Sequence, residues 1–392
     1  MSTLKIPVQP KHKIVNKLVL IGNGFDLALG LKTKYEDFLL WYFKKFIKKS
    51  LTNLKPTLIS DDQYVYRFNE DEMFVFYNNV NYHFDHNLMN GFNKDFNKFG
   101  DIKEFITKNR YKFSYKFKSS LLKKIYLESN SGWVDIEKAY FDLLKNELDK
   151  KDSEIDKLNQ ELKTIKQLLK DYLAELDFTK IKEPIIAGKY VSQFIKNVST
   201  NDLIDLSDQN EKILTDQIYF LNFNYTPSLN TILNSSTASQ LGNFKDKLIT
   251  NQIHGDLNTD SDFLIFGYGD EMDKDYNKIE EKNDNRFFDN IKSFKYAENS
   301  NYRDLLRFLN SDSYQVIVYG HSCGLSDRLM LNEIFEHENC KSIKIYYYNK
   351  REFINKTMDI SRHFSSNKLM RKKIVEFNDA NLIPQIKDVS NK

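Results

Sequence analysis

The residues best suited to chemistry fall into four short clusters, each placed where an apolar run stops. Gly22-Asn23-Gly24 follows residues 17–21 and reads as a tight turn. Its backbone N–H groups would face a phosphate at a helix N-terminus, or the turn is purely structural. Three named motifs almost fit, a flavin-type variant failing on the same missing glycine as the dinucleotide fingerprint. The dinucleotide fingerprint wants a third glycine where Leu27 stands, and the ATPase loop wants Gly-Lys-Thr contiguous, whereas Leu31 separates Gly30 from Lys32 and Thr33. In Asn222-Phe223-Asn224-Tyr225-Thr226, two amides at alternate positions point the same way along an extended backbone. They can orient a water or a ribose hydroxyl. His254-Gly255-Asp256 sets a proton acceptor suited to neutral pH beside a glycine that lets a ligand come close.

The fourth cluster, Gly320-His321-Ser322-Cys323-Gly324, matches the G-x-S-x-G nucleophile elbow. A serine hydrolase is therefore the rival reading, with Ser322 as nucleophile and His254-Gly255 as a candidate oxyanion element. Such enzymes want an acid and then a histidine on later strand ends. Only one strand-like run remains after Ser322, and His337 and His363 lie in helical-looking stretches. His83 and His86 form an H-x-x-H without an acidic or cysteine partner at ligand spacing, so no metal is expected.

Bringing these clusters together requires strands that end at one edge. Residues 17–21, 217–221, 249–253, 263–266, 314–319 and 342–348 read as short buried strands, the pattern of a parallel sheet. In an open α/β sheet, ligands sit outside the carboxyl ends of the strands. Residues 27–50 have helical spacing, while residues 51–131 are aromatic, polar and poorly periodic and read as helices and loops. Phe141, Leu144, Leu148, Ile155, Leu158, Leu162, Ile165, Leu169, Tyr172 and Leu176 keep steps of three and four, interrupted at Lys151. That spacing predicts one long amphipathic helix, which either packs on its own domain or serves self-association. The expected organisation is a tail over 1–16, the first part of an α/β domain over 17–130, a helical insertion over 131–195, and the rest of the α/β domain over 196–392.

Composition narrows the class. The 392 residues carry 58 Lys+Arg against 55 Asp+Glu, a net charge of +3, too balanced to argue for nucleic acid. Cys323 and Cys340 are the two cysteines, which excludes a disulfide framework and fits a reducing cytoplasm. No run approaches the roughly 18 apolar residues of a membrane span. A cytoplasmic protein without membrane or direct nucleic-acid contacts is expected.

The run Leu20-Ile21-Gly22-Asn23-Gly24-Phe25-Asp26-Leu27-Ala28-Leu29-Gly30-Leu31-Lys32-Thr33-Lys34-Tyr35-Glu36-Asp37-Phe38 resembles the opening signature of the AbiH family of bacterial abortive-infection proteins. Trp133-Val134-Asp135-Ile136-Glu137, Asn222-Phe223-Asn224-Tyr225-Thr226, His254-Gly255, Phe266-Gly267-Tyr268-Gly269 and Gly320-His321-Ser322 with Asp327 follow in the family's order. A more distant likeness is to sirtuin-like NAD-cleaving domains, which share a glycine turn, a later Asn, then His-Gly, then Gly-x-Ser with Asp. It implies a Rossmann-like (sirtuin/DHS-like) parallel sheet with a long helical insertion, with Asn224 and His254 similar to the catalytic pair. Gly22, Asn23, Gly24, Gly320 and Ser322 would contact NAD, and Phe25, Asp26, Thr33, Asn222, His321 and Asp327 are grouped with them. Departures are Asn23 in place of Ala, Thr226 in place of Asp, and no C-x-x-C pair, so lysine deacylation is not expected. Together the resemblances imply an antiphage effector that cleaves NAD or a related dinucleotide without a metal. It would be homo-oligomeric and gated by a phage-derived trigger. A non-catalytic nucleotide sensor is the other alternative.

Overall fold

The computed structural model describes residues 12–50, 55–60, 63–78, 96–111, 113–129, 135–150, 153–205, 212–268, 271 and 273–386. His83, His86, Trp133, Val134 and Gly269 lie outside the described residues, as do residues 1–11 of the expected tail.

Five strands form one sheet: β1 (Asn16–Ile21), β2 (Ile218–Asn222), β3 (Leu248–Gln252), β4 (Tyr314–Tyr319) and β5 (Cys340–Tyr346). Their order is β5-β4-β1-β2-β3 and every neighbouring pair is parallel. The chain thus moves out from β1 through β2 to β3, then returns to the other side of β1 for β4 and β5. Every residue of β1, β2 and β4 is buried because helices cover both faces. Side chains alternate between those faces. Leu18, Leu20, Val316 and Ile343 pack on helices Asn301–Ser311 and Arg328–Glu336. Val19, Ile21, Phe220 and Ile317 pack on α1 (Asn23–Ala28) and on helix Pro184–Phe194.

Between β1 and β2 the chain builds a second core from α2 (Tyr35–Ser50), α3 (Ile136–Leu148), α4 (Ile155–Ala174) and a four-stranded antiparallel sheet. Its strands, Lys55–Ser60, Gln63–Glu70, Phe74–Asn78 and Phe113–Phe117, correct the expectation of helices and loops over residues 51–131. Phe113, Tyr115 and Phe117 do alternate with polar residues. Five residues, however, are too few for a period of two to stand out.

Three other expectations change. The stretch 27–50 is not one helix, because Gly30 takes φ +78° and separates α1 from α2. Residues 263–266 form turns rather than a strand, with the N–H groups of Phe263 and Leu264 donating to the Asp260 carbonyl. The predicted long helix is two helices, α3 and α4, which pack against each other. Glu147 secures their junction by accepting from the Lys150 ammonium at 2.6 Å and the Glu154 N–H at 2.9 Å. The heptad residues from Phe141 to Tyr172 are all buried in the chain's own core, so this stripe offers no face to a second copy.

Where β1 and β4 end, two glycine turns meet backbone to backbone. The Gly24 N–H donates to the Gly320 carbonyl at 2.8 Å. A Cβ on Gly320, whose φ is +75°, would lie 2.3 Å from the Phe25 nitrogen, and one on Gly22 would lie 2.5 Å from the His321 Cα. Gly320→Ala should therefore cost about 3 kcal/mol of stability through strain and overlap. Urea unfolding checks this; an unchanged midpoint would mean that the two turns need not meet.

Candidate functional site

The strand ends hold two adjoining polar clusters. The first is anchored by Asp26 on α1. Its carboxylate accepts from the Thr226 hydroxyl at 2.6 Å and from the Ser228 hydroxyl, which fastens α1 to the turn after β2. The Asn224 amide donates to the Gly22 carbonyl at 3.1 Å, and the Asn224 N–H donates to the Asn222 side-chain oxygen at 3.1 Å. Burial raises the Asp26 carboxyl to about 6, against the pull of Ser228, Thr226 and Asn224.

The second cluster surrounds Asp327, in the turn following β4. Lys292, 1% exposed at the side chain, opens the one-turn helix Lys292–Lys295 and lies 2.8 Å from Asp327 and 3.0 Å from Glu137 of α3. His254 Nε2 is 3.3 Å from Asp327 Oδ1, and His321 Nε2 is 3.7 Å from Asp327 Oδ2. Phe223 packs on both imidazoles, with ring centres 5.2 Å from His254 and 4.0 Å from His321. Burial opposes the charge on Asp327, yet Lys292 and His254 hold its pKa well below the usual carboxylate range. Burial raises Glu137 to about 7 despite Lys292. Burial lowers both histidines, His321 to about 3, so both are neutral at neutral pH. His321 Nδ1 accepts from the Cys323 N–H at 3.1 Å, which assigns its proton to Nε2, toward Asp327. His254 placed the same way donates from Nε2 to Asp327 and keeps Nδ1 as a free acceptor. That is the geometry of an acid–base pair: the carboxylate orients the ring and stabilises the imidazolium formed when the ring takes a proton.

Of the residues singled out in the sequence, this second cluster gathers His254, His321 and Asp327; the first gathers Gly22, Asp26, Asn222 and Asn224. Asn224 and His254 stand on neighbouring segments, joined by the Ile253 N–H to Asn222 carbonyl bond at 3.1 Å, but their side chains engage different clusters. The N–H groups of Gly22, Gly24 and Phe25 donate to the carbonyls of Tyr319, Gly320 and Gly22, so these three are already satisfied within the protein. The Phe25 ring is core, packed on Tyr190 and Tyr319. Asn23 and Thr33 bond to each other at the surface, the Asn23 amide donating to the Thr33 carbonyl at 3.1 Å. Ser322 is exposed and its hydroxyl makes no hydrogen bond with either histidine, so the elbow lacks its Ser–His pair. Cys323, which does take a positive φ of 54°, is buried, and its thiol is pushed up to about 12.

Sequence reasoning missed Glu137 and Lys292. Glu137 closes a motif quoted for the family likeness but given no role, and Lys292 stands in a lysine-rich stretch without any distinguishing pattern. No group of three or more potential metal ligands occurs among the described residues. Among those residues, no helix is long and apolar enough to cross a membrane.

Fold and site define a mixed α/β protein whose parallel sheet carries a buried acid–base cluster at its strand ends. The family model described as Bacteriophage abortive infection AbiH matches residues 18–349, and the chain belongs to that family. Membership places it among antiphage abortive-infection proteins. No curated protein matches the chain.

Lys292→Met leaves Asp327 and Glu137 buried without their cation and should cost about 3–5 kcal/mol at pH 8. The loss should shrink at pH 5, where Glu137 holds a proton. Equal losses at both values in urea unfolding would contradict this network. For Asp26 the folded value lies above the unfolded one, so its contribution is full below the unfolded value and is lost as pH rises through about 6. The stability difference between wild type and Asp26→Asn should therefore change by up to about 3 kcal/mol between pH 4 and pH 7. A difference that stays constant across that range would rule out a protonated Asp26.

Proposed function

We propose that this AbiH-family chain acts in abortive infection by hydrolysing NAD or a related dinucleotide at the nicotinamide–ribose bond. The observation that carries the reading is the convergence of His254, Asp327 and His321 at the carboxyl edge of the sheet, beside the Gly22 and Gly320 turns. The strand order reverses at β1, as in Rossmann-like sheets, where dinucleotides lie at the switch point outside the strand ends. The sirtuin-like arrangement inferred from the motifs is compatible with that order.

The chemistry balances simply. The bond from the anomeric carbon to the pyridinium nitrogen breaks, and neutral nicotinamide leaves with the electron pair. Water then bonds to the anomeric carbon, and its proton passes to His254 Nδ1, with Asp327 stabilising the imidazolium. Asn224, whose Nδ2 is committed to Gly22, keeps its side-chain oxygen for a water or ribose hydroxyl. His254 is 5% exposed, so substrate reaches it only after the surrounding segments part. This closure suits an effector held inactive until a phage-derived trigger opens it.

The test is the NAD and ADP-ribose content of phage-infected cells expressing wild type, His254→Ala, Asp327→Asn or Asn224→Ala. Wild type should lower NAD by roughly tenfold or more, while His254→Ala and Asp327→Asn should retain it. Protection by wild type with NAD undiminished would overturn the proposal.

A further inference from the structure

The elaboration between β1 and β2 carries a cleft of its own, with a volume of about 550 Å³, between α4 and the antiparallel sheet. The sheet side is lined by Glu72 and Met73, in the turn between strands Gln63–Glu70 and Phe74–Asn78, and by residues 116–118 at the end of strand Phe113–Phe117. The helix side is lined by Lys157, Gln160, Glu161 and Thr164, whose spacing sets them on one face of α4. The volume falls within the roughly 300–1,000 Å³ typical of small-molecule clefts. None of these residues belongs to the clusters around Asp26 and Asp327.

Which charges remain free decides what the cleft can hold. Glu161 is buried and fully engaged. Its carboxylate accepts from the Ser119 hydroxyl and the Leu121 N–H at 2.9 Å each, from the Ser120 hydroxyl at 3.1 Å and from the Ser120 N–H at 3.2 Å. It thereby closes the N-terminus of helix Ser120–Glu128. Lys118 is engaged too, pairing with Glu70 at 2.5 Å and donating to the Asp71 carbonyl at 3.0 Å. Lys116, in contrast, has no hydrogen bond or ion pair among the described residues. Lys157 has only Glu154, 3.8 Å away and 65% exposed, a weak contact. One ammonium on the sheet side and one on the helix side are therefore available to an anion. Beside them are the Glu72 carboxylate and the Gln160 amide, each without a side-chain partner among the described residues, and the apolar surface of Met73 and Phe117.

That set suits one class of ligand. Two ammonium groups hold a phosphate, a carboxylate accepts from the hydroxyls of a ribose, and an amide both donates to and accepts from the edge of a base. An aromatic ring with a thioether gives the base an apolar surface. We infer that the cleft binds a nucleoside monophosphate, with Lys116 and Lys157 on its phosphate and Glu72 on its ribose. The inference stands apart from the proposed reaction, with which it shares no residue.

Titration calorimetry of the full chain at pH 7 with AMP, GMP, CMP and UMP, each in turn, tests it. At least one should bind wild type, and Lys116→Gln combined with Lys157→Gln should weaken that binding roughly tenfold or more. The charge-preserving pair Lys116→Arg and Lys157→Arg should stay within about threefold. Glu72→Ala should remove the preference for the ribonucleotide over its 2′-deoxy form. Glu72, Lys116 and Lys157 are exposed, so all these variants should keep the wild-type urea midpoint, which separates lost binding from lost folding. Three outcomes overturn the inference: no binding of any of the four nucleotides, binding that survives the loss of both lysines, or inorganic phosphate binding as tightly as the best nucleotide. NAD loss in infected cells bears on the proposed reaction alone, so either reading can fail without the other.

Discussion

Lys292 is the charge on which the strand-end architecture depends. Its ammonium lies between Asp327, from the turn after β4, and Glu137, from the first turn of α3. These three residues are far apart in the chain and belong to different parts of the structure: the parallel-sheet unit, the connecting segment before helix Asn301–Ser311, and the elaboration between β1 and β2. Taking such charges out of water costs several kcal/mol each, recovered only when the geometry is good and the remaining lone pairs are satisfied. Here the Gly267 N–H completes Glu137 at 3.2 Å, and His254 approaches Asp327. The network therefore does two things at once. It locks the elaboration to the sheet, and it keeps Asp327 ionised beside two neutral imidazoles, the condition under which a histidine can take up a proton.

The glycines supply the complementary constraint. Gly22, Gly24 and Gly320 let the ends of β1 and β4 touch backbone to backbone, closer than any Cβ would permit. Contact at that range brings His321 and Asp327, which follow β4, beside Phe223 and His254, which follow β2 and β3. The same contact occupies the N–H groups that a phosphate would otherwise meet. The elaboration contributes Glu137 to a polar cluster whose other members come from the sheet and the segment before helix Asn301–Ser311.

Much of the sheet was legible residue by residue. Buried parallel strands are continuous apolar runs, so β1, β2, β4 and β5 announce themselves, and the first three stop at Gly22, Asn222 and Gly320. His254 and His321 were visible for the same reason, following strand ends, whereas Asp327 was singled out only through the family likeness. The stripe from Phe141 to Tyr172 was equally visible, but its period reports only that one face is apolar. Whether that face meets the chain's own core or another copy, and whether the axis bends between Leu148 and Ile155, are decided by what packs against it. The antiparallel strand Phe113–Phe117 was too short for its alternation to separate from the surrounding aromatic residues.

The sequence by itself determined the family, the runs that become the central strands, and the polar residues that punctuate them, because these are properties of contiguous residues. Tertiary structure alone decided that Lys292 joins Glu137 to Asp327, and that Asn224 serves the Gly22 turn while His254 serves Asp327. Ion pairing and desolvation depend on distances between segments remote in the chain, and no local spacing encodes them.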